Sequence, residues 1–212
     1  MSGEVYTSFE SAVYKTADKT FSITPKPVPT DKRNPYKLLD QNGSKVRFMI
    51  NDHSGTEKNW AQANISVPEM DTLLNVVNQA CAGIIKDWSM PQQVKIFGDK
   101  DEKGYMIVSK FAVSRTSLGK DGQPKKFPWY IAIEKGKGIG LSGKAKGSVY
   151  MKSGSYVQET AVYINLTDED FKGMLFWTSK LFDVFLQATK HTVIDGYAEF
   201  SKTSKAKAKT YK

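Results

Sequence analysis

The sequence predicts an α+β fold in which a unit of antiparallel strands followed by one long helix occurs twice. In each unit, two strand-like runs joined by a short turn lead into a capped helix. The two caps, Ser66 and Thr167, lie 101 residues apart (167 − 66), and the same offset aligns the apolar stripes of the two helices. We therefore expect one domain over residues 1–190, built from pseudo-repeats of about 1–90 and 91–190, with the helices packed behind two sheets.

The first unit is expected to contain four strands. Candidate strands at 5–14 and 20–24 precede a proline-rich loop, because proline interrupts a strand. Two further strands follow at 45–50 and 60–65, joined by a turn at 53–55. In these two, alternation places Val46, Phe48, Ile50, Ala61, Ala63 and Ile65 on the buried side.

A helix is predicted over 67–86. Ser66 caps it, and Glu69 three residues later completes a capping box. The apolar stripe runs through Met70, Leu73, Leu74, Val77, Cys81 and Ile84. The single cysteine cannot form an internal disulfide, so Cys81 is interpreted as a small core residue of a protein in the cytoplasm or another reducing compartment.

The second unit follows a linker at 88–91. Strands are predicted at 93–97, 105–115 and 128–134, with a turn at 119–124, and then a hairpin formed by 148–152 and 157–166. Alternation in its last strand turns Val162, Ile164 and Leu166 inward and Tyr163 outward.

The second helix is predicted over 168–190, with Thr167 as its cap and Asp170 at the third position. Its stripe consists of Phe171, Met174, Leu175, Thr178, Phe182 and Phe185. Residues 191–212 form a terminal strand-like segment and a basic tail, which we expect to be disordered when unbound because its last twelve residues hold five lysines and no acid.

Positive charge is concentrated in one part of the chain. The formal net charge is +9, and the segment 110–152 carries ten basic and two acidic residues (10 − 2 = +8). Such a concentration indicates a polyanionic partner, and nucleic acid fits it best. A plain solvated basic surface is the alternative.

The outward side of the predicted strands mixes cations with large aromatic side chains. Cations neutralise phosphates and aromatic rings stack on unpaired bases, which is the combination used by proteins that bind single strands. The candidate nucleic-acid-binding residues are Lys45, Arg47, Trp60, Lys110, Arg115, Lys125, Lys126, Tyr130, Lys135, Lys137, Lys144, Lys146, Tyr150, Lys152 and Tyr163. Each aromatic residue could instead pack under a loop or in a subunit interface.

No motif predicts catalysis, a cofactor or a metal site. The segment 138–144 matches seven positions of a phosphate-binding loop, but Ala145 stands where Ser or Thr should bind magnesium and no helix follows. It is better interpreted as a flexible basic loop around a nucleic-acid backbone. Neither His53 nor His191 lies beside a candidate nucleophile in the sequence, and the acidic residues 168–170 complement a helix dipole. We expect a protein that is not an enzyme.

Membrane and secretory signals are not predicted either. No apolar run is long enough to cross a bilayer, and the first fifteen residues lack a basic end followed by an apolar segment.

The duplicated layout, with its capped helices at Ser66 and Thr167 and its basic, aromatic open sheet faces, resembles the whirly, PUR-repeat and PC4-like group of single-stranded nucleic-acid-binding proteins. The resemblance rests on this layout over most of residues 1–190. Gly143–Lys146 is similar to the lysine-glycine-lysine-alanine motif of plant whirly proteins, but in the second half and in a different order, so no binding residue is transferred. The resemblance implies sheets packed around paired helices and a homo-oligomer.

The expected function is therefore sequence-tolerant binding of single-stranded DNA in replication, recombination or repair, with a bacteriophage as one candidate source. The alternatives are an RNA-binding accessory factor, an OB-fold single-strand-binding protein, and a structural or virion component. The long helix at the end of each half fits a five-stranded barrel poorly, and nothing in the sequence reports on a 2′-hydroxyl.

Overall fold

The described part of the chain forms two antiparallel sheets and two helices, an α+β fold as predicted. The computed structural model describes residues 4–7, 11–27, 44–56, 59–97, 100–144, 149–185 and 187–188. Side chains are described in all of these except 4–7, 96 and 97. The predicted tail and the proline-rich loop beyond residue 27 lie outside the described residues.

The first sheet is a meander in which each strand pairs with the next one along the chain. Its strands are β1 (Glu4–Thr7), β2 (Ala12–Lys15), β3 (Lys19–Lys26), β4 (Lys45–Asp52) and β5 (Asn59–Ser66). The predicted inward residues of β4 and β5 are all buried, as the alternation required. The predicted strand 5–14 is in fact divided between β1 and β2.

Helix α1 (Val67–Cys81) begins at the predicted capping box. The Glu69 amide donates to Ser66 Oγ at 3.3 Å, and the Ser66 amide donates to Glu69 Oε2 at 2.6 Å. Three of the predicted stripe positions, Met70, Leu73 and Val77, are fully buried.

The end of α1 was predicted wrongly. Gly83 adopts a left-handed conformation (φ 72°) just after the helix, and its amide donates to the Ala80 carbonyl at 2.9 Å. The helix therefore stops before Ile84, which is 72% exposed. Ala80 occupies the last core position, and Cys81, predicted to be a core residue, is exposed.

The second sheet is centred on two long strands, β8 (Tyr105–Arg115) and β9 (Trp129–Ser142), which pair along their length. β6 (Trp88–Ser89) and β7 (Gln93–Phe97) both pair with β8, along the edge that does not face β9. The opposite edge of β9 is shared by β10 (Val149–Met151) and β11 (Val157–Leu166). The predicted bounds of β7, β8 and β11 are confirmed.

β9 is longer than predicted because the glycine-rich segment is a strand and not a loop. Gly138 pairs with Met106 of β8, and Gly140 pairs with Met151 of β10. A Cβ at Gly138 would lie 2.8 Å from Met151 Sδ, and one at Gly140 would overlap Met106 Sδ. The glycines thus make room for two methionines packed on the sheet, and a regular strand replaces the expected phosphate-wrapping loop over 138–142.

The second helix, α2, covers residues 168–185, and 187–188 are also helical. Thr167 caps it as predicted, accepting from the Asp170 amide at 3.0 Å. The five predicted stripe residues from Phe171 to Phe182 are all buried. The predicted end at Lys190 lies outside the described residues.

The two helices lie next to each other in antiparallel orientation. At one end, Cys81 Sγ of α1 donates to the Asp168 carbonyl of α2 at 3.7 Å. At the other end, burial and the nearby charge of Asp183 in α2 raise the pKa of Asp71 in α1.

A single buried cluster contains residues from both sheets and both helices. The Phe48 and Phe111 rings, one from each sheet, have centroids 4.9 Å apart. Trp129 of the second sheet packs on Phe171 of α2 at 5.1 Å. Within the described residues, no helix is long and apolar enough to cross a membrane.

Candidate nucleic-acid interface

Two tyrosines stand side by side on the face of the second sheet that is turned away from the core. Tyr130 lies on β9 and Tyr163 on β11, and their chain neighbours Ile131 and Ile164 are buried on the opposite face. The ring centroids are 5.6 Å apart with the planes tilted by 32°. The two side chains are 41% and 49% exposed. We call this pair the tyrosine platform; it presents aromatic surface to solvent, as both residues were predicted to do.

A lysine from the first sheet reaches the platform. Lys19, which begins β3, places its Nζ 3.9 Å from the centroid of the Tyr163 ring and donates to the Tyr163 carbonyl at 3.0 Å. The same ammonium pairs with Asp52 at 3.4 Å. Lys19 was not among the predicted residues, because only the packing of the two sheets brings it to a strand 144 residues further along the chain.

An aromatic residue and two more cations extend the surface on the other side. Phe127, just before β9, lines an open cleft together with Lys19 and Tyr163. Lys126 Nζ lies 5.4 Å from the centroid of the Phe127 ring, and both Lys125 and Lys126 are exposed. Phe127 was not among the predicted residues either, although an aromatic residue directly after two candidate lysines is the pattern expected of a single-strand site.

Further along the same face, a cation is already neutralised. Lys110 Nζ lies 3.5 Å from Glu134 Oε2 and 3.6 Å from the centroid of the Tyr156 ring. Burial and the negative charge of Glu134 raise the pKa of Tyr156 to about 12. This part of the face therefore offers less free positive charge than its lysine suggests.

Trp60 and Lys135 form a second aromatic–cation pair at the start of β5. The ammonium lies 5.0 Å from the ring centroid, and Trp60 is 42% exposed. Lys137, two residues along β9, pairs with Glu159 at 3.1 Å. The structure thus brings both predicted residues of this pair together, and places Lys137 beside a carboxylate.

The remaining predicted residues lie away from the platform. Lys45 and Arg47 pair with Lys26 and Thr24 of β3, which lie about 23 and about 17 Å from Lys19 along that strand. Tyr150 pairs with Leu141, about 36 Å along β9 from Tyr130. Lys144 and Lys152 are exposed near Tyr150, and Lys146 lies outside the described residues.

Arg115 is directed into the protein. Its Nε and Nη2 donate to the two carboxylate oxygens of Asp168 at 2.9 and 2.8 Å, and its Nη1 donates to the Ile85 and Lys86 carbonyls after α1. Trp129 Nε1 donates to the same carboxylate at 2.7 Å. Because all three groups of the guanidinium are engaged, Arg115 joins β8 to both helix regions and is not offered to a phosphate.

The Arg115 guanidinium is the main reason that the pKa of Asp168 is lowered, against the opposing effect of burial. The hydrogen bonds that Arg115 donates to Asp168 raise the pKa of Arg115 in turn. Both directions favour the charged pair, as expected for a bidentate arginine–carboxylate contact.

No protein-family model matches this chain, and no curated protein matches it. Among the described residues, no group of three or more histidine, cysteine or acidic side chains is placed to hold a metal ion. The candidate site consists of exposed aromatic rings beside ammonium groups.

Proposed function

We propose that this protein binds single-stranded nucleic acid, with DNA as its main target, through the tyrosine platform and the cations around it. The observation that carries the proposal is the adjacency of two exposed rings, Tyr130 and Tyr163, whose centroids lie 5.6 Å apart, with Lys19 Nζ 3.9 Å from the centroid of the second ring. Aromatic surface and positive charge are what unpaired bases and their phosphates require.

The energetics favour a single strand over a duplex. Stacking of a base on an aromatic side chain contributes about 1–3 kcal/mol and is available to every base. A duplex buries its base faces, so only its phosphates could interact with the platform. Lys125 and Lys126 are exposed beside Phe127 and would neutralise phosphates of a strand lying on the rings, whereas Lys19 is already paired with Asp52.

We further propose that the two halves are whirly-like pseudo-repeats. In support, each half runs through an antiparallel sheet into a helix capped by Ser66 or Thr167. The buried stripes follow the 101-residue offset at Met70 and Phe171 and at Leu73 and Met174. In this arrangement, binding in replication, recombination or repair would use the open sheet faces, while the helices form the shared core.

The proposal is tested by binding measurements on the whole protein. Labelled oligothymidine, a duplex of equal length and an RNA of matching sequence are titrated by fluorescence anisotropy at several salt concentrations. We expect the single-stranded DNA to bind more tightly than the duplex, with an affinity that falls as salt rises because counterions are released. Equal or tighter binding of the duplex would contradict base stacking on the tyrosine platform. Tighter binding of RNA than of single-stranded DNA would show that RNA is the preferred ligand.

A further inference from the structure

We propose that the cleft beside the tyrosine platform holds one nucleobase, and that Asp18 and Asn165 give this position a preference for bases with an exocyclic amino group. The inference rests on the proposed function, and it adds a base preference to an interface that otherwise tolerates any sequence.

The cleft is small and has both aromatic and polar walls. It has a volume of about 250 Å³ and lies between the β2–β3 turn and β11. Phe127 and Tyr163 supply aromatic surface, while Asp18 and Asn165 supply polar groups. The volume is below the range of about 300–1,000 Å³ that is usual for drug-sized ligands, so the cleft suits a single flat group at the side of a longer strand.

The turn that carries Asp18 is held by hydrogen bonds within the turn and to the neighbouring β4–β5 turn. The Thr16 amide donates to the Lys19 carbonyl at 2.9 Å, and the Lys19 amide donates to Thr16 Oγ1 at 3.0 Å. The His53 amide donates to the Asp18 carbonyl at 2.6 Å, which ties this turn to the β4–β5 turn. A contact group on a fixed turn loses less freedom when it binds.

The polar side chains of the cleft are available to a ligand. Within the described part of the chain, neither the Asp18 carboxylate nor the Asn165 side-chain amide makes a hydrogen bond or an ion pair, and both residues are exposed. By contrast, the Lys19 ammonium is engaged by Asp52 and by the Tyr163 carbonyl. The carboxylate and the amide are therefore the groups that can recognise a base edge.

Their chemistry distinguishes the bases. A carboxylate only accepts hydrogen bonds, and it suits the amino group of cytosine, adenine or guanine. Thymine and uracil present one N–H between two carbonyl oxygens. A carboxylate that accepts from this N–H is repelled by the partial negative charge of both oxygens. The Asn165 amide can donate to or accept from the remaining atoms of the edge.

The test compares oligocytidine with oligothymidine, which have the same length and ring size, on the full-length protein at one salt concentration. We expect the wild type to favour oligocytidine by roughly fivefold to tenfold, as for one hydrogen-bonded base contact. Asp18→Asn should bring this ratio close to one, because an amide also accommodates thymine, and Asn165→Ala should reduce it.

Glu102→Gln is the matched control, because it removes the same charge from an exposed residue of a different surface cleft. It should change both affinities together and leave the ratio intact. A wild-type ratio near one, or a ratio unaffected by Asp18→Asn, would overturn the base preference while oligonucleotide binding still supported the proposed function. Absence of binding to any oligonucleotide would refute the proposed function itself.

Discussion

At the scale of single residues, the contacts of Arg115 illustrate how tertiary structure decides the role of a cation. The sequence places this arginine in the basic segment, so it was a reasonable candidate for phosphate binding. Its bidentate pair with Asp168, which also accepts from Trp129, instead links β8, β9 and the start of α2. The partner acid lies 53 residues away, so no local pattern indicates the pairing.

Asp168→Asn should destabilise the protein by about 2–4 kcal/mol, because it leaves a largely buried guanidinium without its counter-charge. Urea unfolding measures the change. Asp183→Asn is the control: it breaks the exposed pair with Lys180 and should cost less than about 1 kcal/mol. Equal, small losses in the two variants would show that the Arg115 pair contributes little.

The same pair predicts a dependence of stability on pH. The pKa of Asp168 is lowered in the folded state from its ordinary value of 3.8. Its stabilising contribution is therefore fully present above that value and is lost as the pH falls through the lower, folded-state pKa. The unfolding free energy of Asp168→Asn should vary less with pH below about 4 than that of the wild type. Parallel pH profiles would contradict this assignment.

Lys126 is the most direct test of the phosphate contacts, because it is exposed beside Phe127. Replacing it with alanine should weaken oligothymidine binding. The slope of log affinity against log salt should fall by about one in magnitude, which corresponds to the loss of one phosphate contact. The thermal midpoint should hardly change. Lys180→Ala, on the exposed side of α2, should leave both affinity and slope unchanged. A slope that is the same for Lys126→Ala and the wild type would exclude this lysine from the interface.

At the scale of secondary-structure elements, most strands and the starts of both helices could be predicted. Alternation defined the buried faces of β4, β5 and β11, and the Ser66 and Thr167 caps are local signals. Glycines account for the main errors. Helix α1 ends at Cys81, five residues before the predicted end, because Gly83 follows it in a left-handed conformation. The glycines of β9 were predicted to form a loop, whereas in the strand they leave space for side chains of neighbouring strands.

Gly136 and Gly173 should respond in opposite ways to substitution with alanine. A Cβ at Gly136 in β9 would overlap the Val157 carbonyl oxygen, which belongs to the backbone of a paired strand. Gly136→Ala should therefore cost about 1–3 kcal/mol. Gly173 lies within α2 with nothing within 4 Å of the added Cβ, so Gly173→Ala should stabilise by about 0.5–1 kcal/mol. Urea unfolding measures the change in unfolding free energy of each variant. Changes of the same sign and size would contradict the close packing of β9 against β11 at Gly136.

At the scale of the whole molecule, one core joins the two halves, and this could be anticipated only in part. The sequence patterns predicted most of the buried residues, although Cys81 and Ile84 are exposed. They did not predict that the Phe48 and Phe111 rings would meet between the sheets. The interface was harder to predict. Tyr130 and Tyr163 were both among the candidates predicted from the sequence, whereas Lys19 and Phe127 come together with them only through the packing of distant segments.

The shared core predicts that neither half is stable alone. Residues 1–90 and 91–212, expressed separately, should show no cooperative thermal unfolding, because each would expose its helix stripe to water. In the intact protein, Leu175→Ala should cost about 2–5 kcal/mol, since Leu175 is fully buried. Two fragments that unfold cooperatively would instead indicate two autonomous domains.

Removal of the platform rings tests the proposed interface most directly. Tyr130→Ala and Tyr163→Ala are compared with Phe176→Ala, which removes an exposed aromatic side chain (52% exposed) from α2. Anisotropy titrations with a short oligothymidine should show about fivefold to a hundredfold weaker binding for each tyrosine variant, as expected for the loss of one stacked base. The salt slope should stay nearly unchanged. Phe176→Ala should bind like the wild type. Undiminished binding by both tyrosine variants, with folding intact, would show that single strands do not bind at the tyrosine platform.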